Sequence, residues 1–316
     1  MTALPHSNDN LRETRAAIRG LDTALILAPH EIAAEAEEMG VKKSQSDTVT
    51  LLALAVLAGA FIGLGAMFAT TVVAGAEGML PYGVIRLLAG LSFSLGLVLV
   101  LIGGAQLFTG DMLMVMAWAS RRISGRRMMQ VWTLVWLGNF IGAAGVALLV
   151  FLSGHYTFGD GAIGIPALHY AETKSALPPL QAFALGILCN ILVCLAVWLT
   201  LAGRSATDRI LAIIFPVTAF VAAGFEHCVA NMYYFSIGLL IHWGGAGFAA
   251  VEIPLAGVAL NLAVVTLGNW VGGALLVGGV YWVIYRRKRG GGSAPEASSA
   301  LLSPRTKELS SNPPRR

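Results

Sequence analysis

Apolar runs of about 20 residues, each long enough to cross a hydrocarbon core of ~30 Å, recur along the chain and decide which solvent it folds in. Six such segments are read, at about residues 49–73, 84–119, 129–153, 178–202, 208–241 and 262–285. Charged residues make up 12% of the sequence, where a soluble domain carries about a quarter. With no water to satisfy a lipid-exposed backbone, apolar runs of this length form helices. The expected fold class is an all-α membrane protein with six transmembrane helices.

Residues 1–47 are polar and lack the short apolar core of a cleavable signal peptide, so the first span is expected to act as its own insertion signal. Within them, residues 1–28 are expected to be mobile, and a short amphipathic helix begins at Pro29 with Gly40 as its stop. The membrane domain then covers 48–288, and the Gly-, Ser- and Pro-rich tail 289–316 is expected to be disordered.

The formal charge of +4 gathers in alternate loops. Arg12, Arg15, Arg19, Lys42 and Lys43 precede the first span, and Arg121, Arg122, Arg126 and Arg127 fill the loop after the second. Arg204 and Arg209 follow the fourth span, and Arg286, Arg287, Lys288 and Arg289 follow the sixth. The opposite loops hold only Arg86 at an edge and Lys174. The positive-inside rule then places both termini in the cytoplasm, with the protein in the inner (plasma) membrane. No basic stripe interleaved with aromatics is present, so nucleic acid is not an expected partner. Cys189, Cys194 and Cys228 lie in apolar segments without CxxC spacing and read as packing residues.

Spans two and five are too long for one straight helix, and each contains a polar interruption. The first is Gly103-Gly104-Ala105-Gln106-Leu107-Phe108-Thr109-Gly110-Asp111, the second Gly224-Phe225-Glu226-His227-Cys228-Val229-Ala230-Asn231. Non-helical backbone at membrane depth is tolerated only where protein or a cavity satisfies it, so the breaks mark a protein-lined site. The halves also echo each other: Gly138-Asn139-Phe140-Ile141-Gly142 in span three matches Gly268-Asn269-Trp270-Val271-Gly272 in span six. Three spans per half invert the second half relative to the first, an inverted repeat around a central site. Taken alone, each Gly-Asn-x-x-Gly reads as close helix packing through small residues.

His227 is the one histidine well inside a span, and an ionisable group at that depth marks a functional site. No second His or Cys stands at ligand spacing, so no metal is expected. Asp111 reads as an N-cap of the second half of its broken helix. A carboxylate facing a path for anions would repel them, so it must otherwise point away, pair with a cation or sit where selectivity is set. The Asn-Pro-Ala loops of neutral-solute channels are absent from the sequence, as are a His-Glu-x-x-His helix and paired haem histidines. The reading is therefore transport, not an enzyme.

At these residues the chain resembles the formate–nitrite transporter family, over about residues 29–288. The resemblance is carried by the break Ala105-Gln106-Leu107-Phe108-Thr109-Gly110, the stretch from Gly224 to Tyr233, Leu185-Gly186-Ile187-Leu188-Cys189-Asn190, the stretch from Gly268 to Gly273, and the Tyr281-Trp282-Val283-Ile284-Tyr285 end. It implies a homopentamer of aquaporin-like protomers, each with two inverted three-helix repeats, broken helices two and five, and its own pore. It further implies proton-linked, channel-like transport of a small monovalent anion, formate first, with nitrite, hydrosulfide or lactate as alternatives, and no cofactor. The partners are the anion, a proton, the bilayer and the sister protomers.

Residue by residue, His227 matches the family's central pore histidine, Thr109 its hydrogen-bonding neighbour and Asn190 a polar residue close by. The other reading of Thr109 is a cap on the half-helix starting near Gly110. Lys174 matches the outer-vestibule lysine. Phe93, Leu97, Leu107 and Phe220, with Phe108 beside them, match the apolar constrictions. Glu226 matches a glutamate beside the histidine and is expected to tune the site from outside the pore.

Overall fold

A computed structural model of the protein describes residues 26–248 and 251–287, and among these every regular element is helical. The expectations for residues 1–25 and for the tail beyond Arg287 lie outside the described residues. The chain divides into a unit of residues 1–286 and a terminal one of 287–316, of which Arg287 alone is described.

Helix α1 (Pro29–Gln45) opens on a proline, pre-set for the first helical turn, and the Glu31 carboxylate accepts from the Ala28 amide at 2.7 Å. It does not stop at Gly40. A Cβ there would lie 3.1 Å from Ala117 Cβ and 3.3 Å from Met114 Cα, so this glycine permits close packing mid-helix. Helix α2 (Thr48–Val72) is capped by Asp47, whose carboxylate accepts from the Val49 and Thr50 amides at 3.0 Å. Helix α3 (Tyr82–Gly103) ends before a short 3-10 turn (Gly110–Met114) and helix α4 (Val115–Ala119). The second expected span thus continues past its break for only about ten residues.

Helices α5 (Gly125–Leu152), α6 (Gly164–Ser175), α7 (Pro179–Ala202), α8 (Ala206–Ala222), α9 (Cys228–Gly244) and α10 (Leu255–Trp270) follow. A π-helical stretch (Val271–Gly279) joins α10 to α11 (Val280–Tyr285). A Cβ on Gly273, inside that stretch, would lie 2.3 Å from the Asn190 amide nitrogen, so the widened turn meets the region of the breaks.

Among the described residues, five helices are long and apolar enough to cross a membrane: α2, α3, α5, α7 and the continuous Leu255–Tyr285 stretch. The fifth expected span is divided into α8 and α9, 17 residues each. Outward-facing Leu149, Leu152, Leu180 and Phe215 are each at least 67% exposed. Apolar surface of that kind fits lipid contact better than water.

Helix α2 packs between α3 and α5, and α7 packs between α8 and α10. The outer glycines of the two Gly-Asn-x-x-Gly motifs make these approaches possible. A Cβ on Gly142 would sit 1.9 Å from the Val56 carbonyl oxygen, and one on Gly272 2.2 Å from that of Ile187. That much is the expected small-residue packing; the asparagines do something else.

Candidate functional site

The two breaks are built alike, bond for bond. Gly104 (φ 81°) and Gly224 (φ 76°) adopt the left-handed conformation that ends a helix without a Cβ penalty. The next amides turn back: Ala105 to the Val100 carbonyl at 2.9 Å, Phe225 to that of Phe220 at 3.0 Å. One residue on, the Gln106 amide donates to the Leu54 carbonyl at 3.1 Å and the Glu226 amide to that of Leu185 at 3.3 Å.

The motif asparagines then close each break. Asn139 donates to the carbonyls of Gln106 (3.0 Å) and Ala55 (2.7 Å) and accepts from the Phe108 amide (2.9 Å). Asn269 donates to those of Glu226 (2.9 Å) and Gly186 (2.8 Å) and accepts from the Cys228 amide (2.9 Å). Each buried asparagine therefore satisfies backbone groups that hydrocarbon could not. Each clamp brackets one central residue, Leu107 in the first break and His227 in the second.

His227 is 3% exposed and caps α9. Its Nδ1 accepts from the Ala230 amide at 3.1 Å, and its Nε2 lies 2.9 Å from Thr109 Oγ1. Because Nδ1 accepts, this bonding pattern assigns the ring proton to Nε2, which donates to the Thr109 hydroxyl. Thr109 makes no side-chain cap to the turn that follows it, so the juxtaposition with His227 is its side chain's role. Asn190 acts one step removed, donating to the carbonyls of Thr109 (3.2 Å) and Asn269 (2.6 Å).

The Phe220 ring stacks on the imidazole at 5.9 Å, and Phe93 meets Phe220 edge-on at 5.8 Å. Leu97 and Leu107 are buried in the same core. Phe108 belongs to that core as well, on its other side. With its amide held by Asn139 of α5, it faces a separate apolar groove lined by Trp132 and Trp270.

Above this aromatic floor lies a cavity of about 470 Å³, running from exposed Tyr82 and His169 down to Phe93, Phe220 and His227. Lys174 borders it but is not free: its Nζ lies 2.5 Å from Glu226 Oε1 and 5.7 Å from the Tyr234 ring centroid. Glu226 also accepts from the Asn231 amide at 2.7 Å. Glu226 thus borders the cavity instead of standing behind it, because the lysine and the amide together allow a buried carboxylate.

The first break carries the same parts in exchanged places. Asp111, fully buried, is not an N-cap; it pairs with Lys43 of α1. With its amide nitrogen turned toward the acid, Gln106 donates to both Asp111 oxygens at 3.1 Å. Gln106 stands where Glu226 stands, and Asp111 where Asn231 stands. Each break therefore has one lysine, one carboxylate and one amide. Among the described residues no group of three or more His, Cys, Asp or Glu could hold a metal.

Long apolar helices, with interruptions satisfied by neighbouring backbone and side chains, make this a polytopic membrane protein. The chain belongs to the formate/nitrite transporter family, whose sequence model matches residues 30–283. "Formate channel FocA" of Escherichia coli (strain K12) is 40% identical over 274 residues, covering 83% of this chain and 96% of that protein. "Formate channel FocA" of Haemophilus influenzae (strain ATCC 51907 / DSM 11121 / KW20 / Rd) is 36% identical over 81% of this chain and 94% of that one. A solved "Pentameric formate channel with formate bound" superposes with a TM-score of 0.71 at 40% identity, over 76% of this chain and 98% of its own.

Proposed function

We propose that this protein carries formate across the inner membrane, one pore per protomer of a homopentamer, with protonation of the anion at the constriction as the enabling step. What carries the reading is the buried His227–Thr109 pair at the foot of a cavity floored by Phe93 and Phe220. The formate channels to which the chain is similar support the substrate and the pentamer. Nitrite is the second reading, because the family's description names it beside formate.

The fold behind this proposal has six spans in residues 48–288, in two inverted three-helix repeats of aquaporin-like form. The bond-for-bond likeness of the two breaks supports it. Both termini lie in the cytoplasm, on the side of the basic loops.

A formate anion in the outer cavity meets dry aromatic rings, where desolvating its charge is costly. As formic acid it passes. The Nε2–H of His227, relayed through Thr109, offers a hydrogen bond at that point, whereas a second proton on Nδ1 would face the Ala230 N–H. The neutralising proton therefore comes from cavity water, and the ring orients the substrate. Thr109→Val, which keeps shape and removes the relay, shifts the pH profile of transport more than it changes assembly. Uptake of formate, nitrite, lactate and hydrosulfide into proteoliposomes at two external pH values tests the proposal. Formate uptake rises at the lower pH; no formate uptake at either pH sinks the reading.

A further inference from the structure

The residue expected to gather anions, Lys174, is the wrong place to look for net positive charge. Its ammonium sits 2.5 Å from Glu226 Oε1, and opposite unit charges that close leave little field a few ångströms away. Resting on the transport reading above, we propose that Arg86 draws the substrate anion into the outer cavity.

Arg86 lies in the second turn of α3 and borders the same cavity as Lys174 and His227. Its Nε donates to the Ala222 carbonyl at 3.2 Å and its Nη2 to that of Val221. These carbonyls end α8, where the aligned peptide dipoles leave roughly half a negative charge. Uncovered, that helix end would repel an anion at the cavity wall. A guanidinium upon it reverses the sign.

Among the described residues no carboxylate lies within ion-pair distance of Arg86, and Nη1 has no hydrogen-bond partner. A donor edge therefore remains for a small carboxylate or oxyanion. Of the other groups lining the cavity, Tyr82, Tyr170 and Tyr234 are phenols. His169 leans on Glu172 at 3.9 Å, His227 is held by Thr109 and Ala230, and Glu226 is the one carboxylate, matched by Lys174.

The position also suits delivery. Val221 directly follows Phe220 in the aromatic floor, and Phe93 is two turns, about 10.5 Å, further along α3. The charge thus waits just above the constriction and does not compete with it.

The test is formate uptake into right-side-out vesicles carrying the full chain, as wild type, Arg86→Gln and Arg86→Lys, across a range of ionic strength. Arg86→Gln raises the apparent KM for external formate about fivefold, the effect of deleting a unit charge at ~8 Å across a wet cavity. Vmax stays within about twofold, the salt dependence of KM flattens, and Arg86→Lys recovers most of the affinity. An unchanged KM in Arg86→Gln overturns the proposal. So does an equal fall of Vmax in both variants with the salt dependence intact, because Arg86 would then only cap α8. Wild-type vesicles that take up no formate overturn the transport reading and this inference with it.

Discussion

The break after α3 and the break after α8 share a scaffold and differ in what it holds. In both, a left-handed glycine ends the helix, and an asparagine from another helix clamps the residues on either side of a central position. That position holds Leu107 in one break and His227 in the other. The first break leads into a 3-10 turn and five-residue α4, the second directly into 17-residue α9 with His227 as its cap. The clamp therefore fixes where a central residue sits, and the occupant decides the chemistry. The charged triads make a related point: an acid and an amide trade places between the breaks while each keeps a lysine.

Removing a clamp tests the shared scaffold and has the largest expected effect. Asn139→Leu and Asn269→Leu each leave one buried break carbonyl, that of Gln106 or Glu226, and one amide, that of Phe108 or Cys228, unpaired, at about 1–3 kcal/mol per group. Thermal unfolding of the purified oligomer should show comparable losses in both. A large loss in one variant alone would mean that the breaks are not equivalent.

The lysine–carboxylate pairs come next. Lys174→Gln strands the Glu226 charge and should lower stability by about 3–5 kcal/mol, whereas adding Glu226→Gln should recover most of it. If the double variant is no better than the single, Glu226 is not held by Lys174. A smaller effect is expected from Gln106→Glu with Asp111→Asn, which copies the second triad into the first. The total charge beside Lys43 is unchanged, so stability should stay within about 1 kcal/mol. Gln106→Glu alone puts two acids on one lysine and should be the worse variant.

Much of this comparison could be read in the sequence, because hydropathy marks long apolar helices and two polar interruptions stand out within them. Both breaks were legible as polar interruptions, and the Thr109–His227 pairing was implied by the family resemblance. The clamps were not. An asparagine between two glycines looks like helix packing, and only the approach of α5 and α10 reveals its three hydrogen bonds. The pairing of Lys174 with Glu226 spans 52 residues and that of Lys43 with Asp111 spans 68, beyond any local pattern. Gly40 read as a helix stop because its packing partners, Met114 and Ala117, are remote in sequence. That Phe108 also lines a groove with Trp132 and Trp270 was not legible, because adjacency to Leu107 does not say which way an irregular segment turns.

The smallest expected effect concerns how the two lysine-bearing helices are held. Asn261 bonds the Lys174 carbonyl at the end of α6, whereas α1 is pinned by Glu37 to Ser120 (2.7 Å), Arg286 (2.9 Å) and Arg122 (3.4 Å). Burial opposes ionisation of Glu37, but the bonds from Arg286, Ser120 and Arg122 outweigh it and hold its pKa below the ordinary 4.5. A depressed carboxylate pKa gives stability that is fully present above 4.5 and lost as pH falls through the lower, folded-state value. Protease access to α1 should therefore rise as the pH falls below 4.5 and become pH-independent in Glu37→Gln. Protection of α1 that is identical in both proteins at every pH would show that Glu37 does not hold it.

The central claim is that His227, and not the scaffold it shares with Leu107, makes the second break a transport site. His227→Phe leaves the Asn269 clamp in place, because that clamp binds only backbone groups, those of Gly186, Glu226 and Cys228. Acidification-driven formate uptake into proteoliposomes, measured on wild type and His227→Phe preparations of equal oligomer content and thermal stability, tests it directly. The account predicts that the pH-dependent component of uptake falls to the protein-free background in the variant. Uptake with the wild-type rate and pH profile would contradict it.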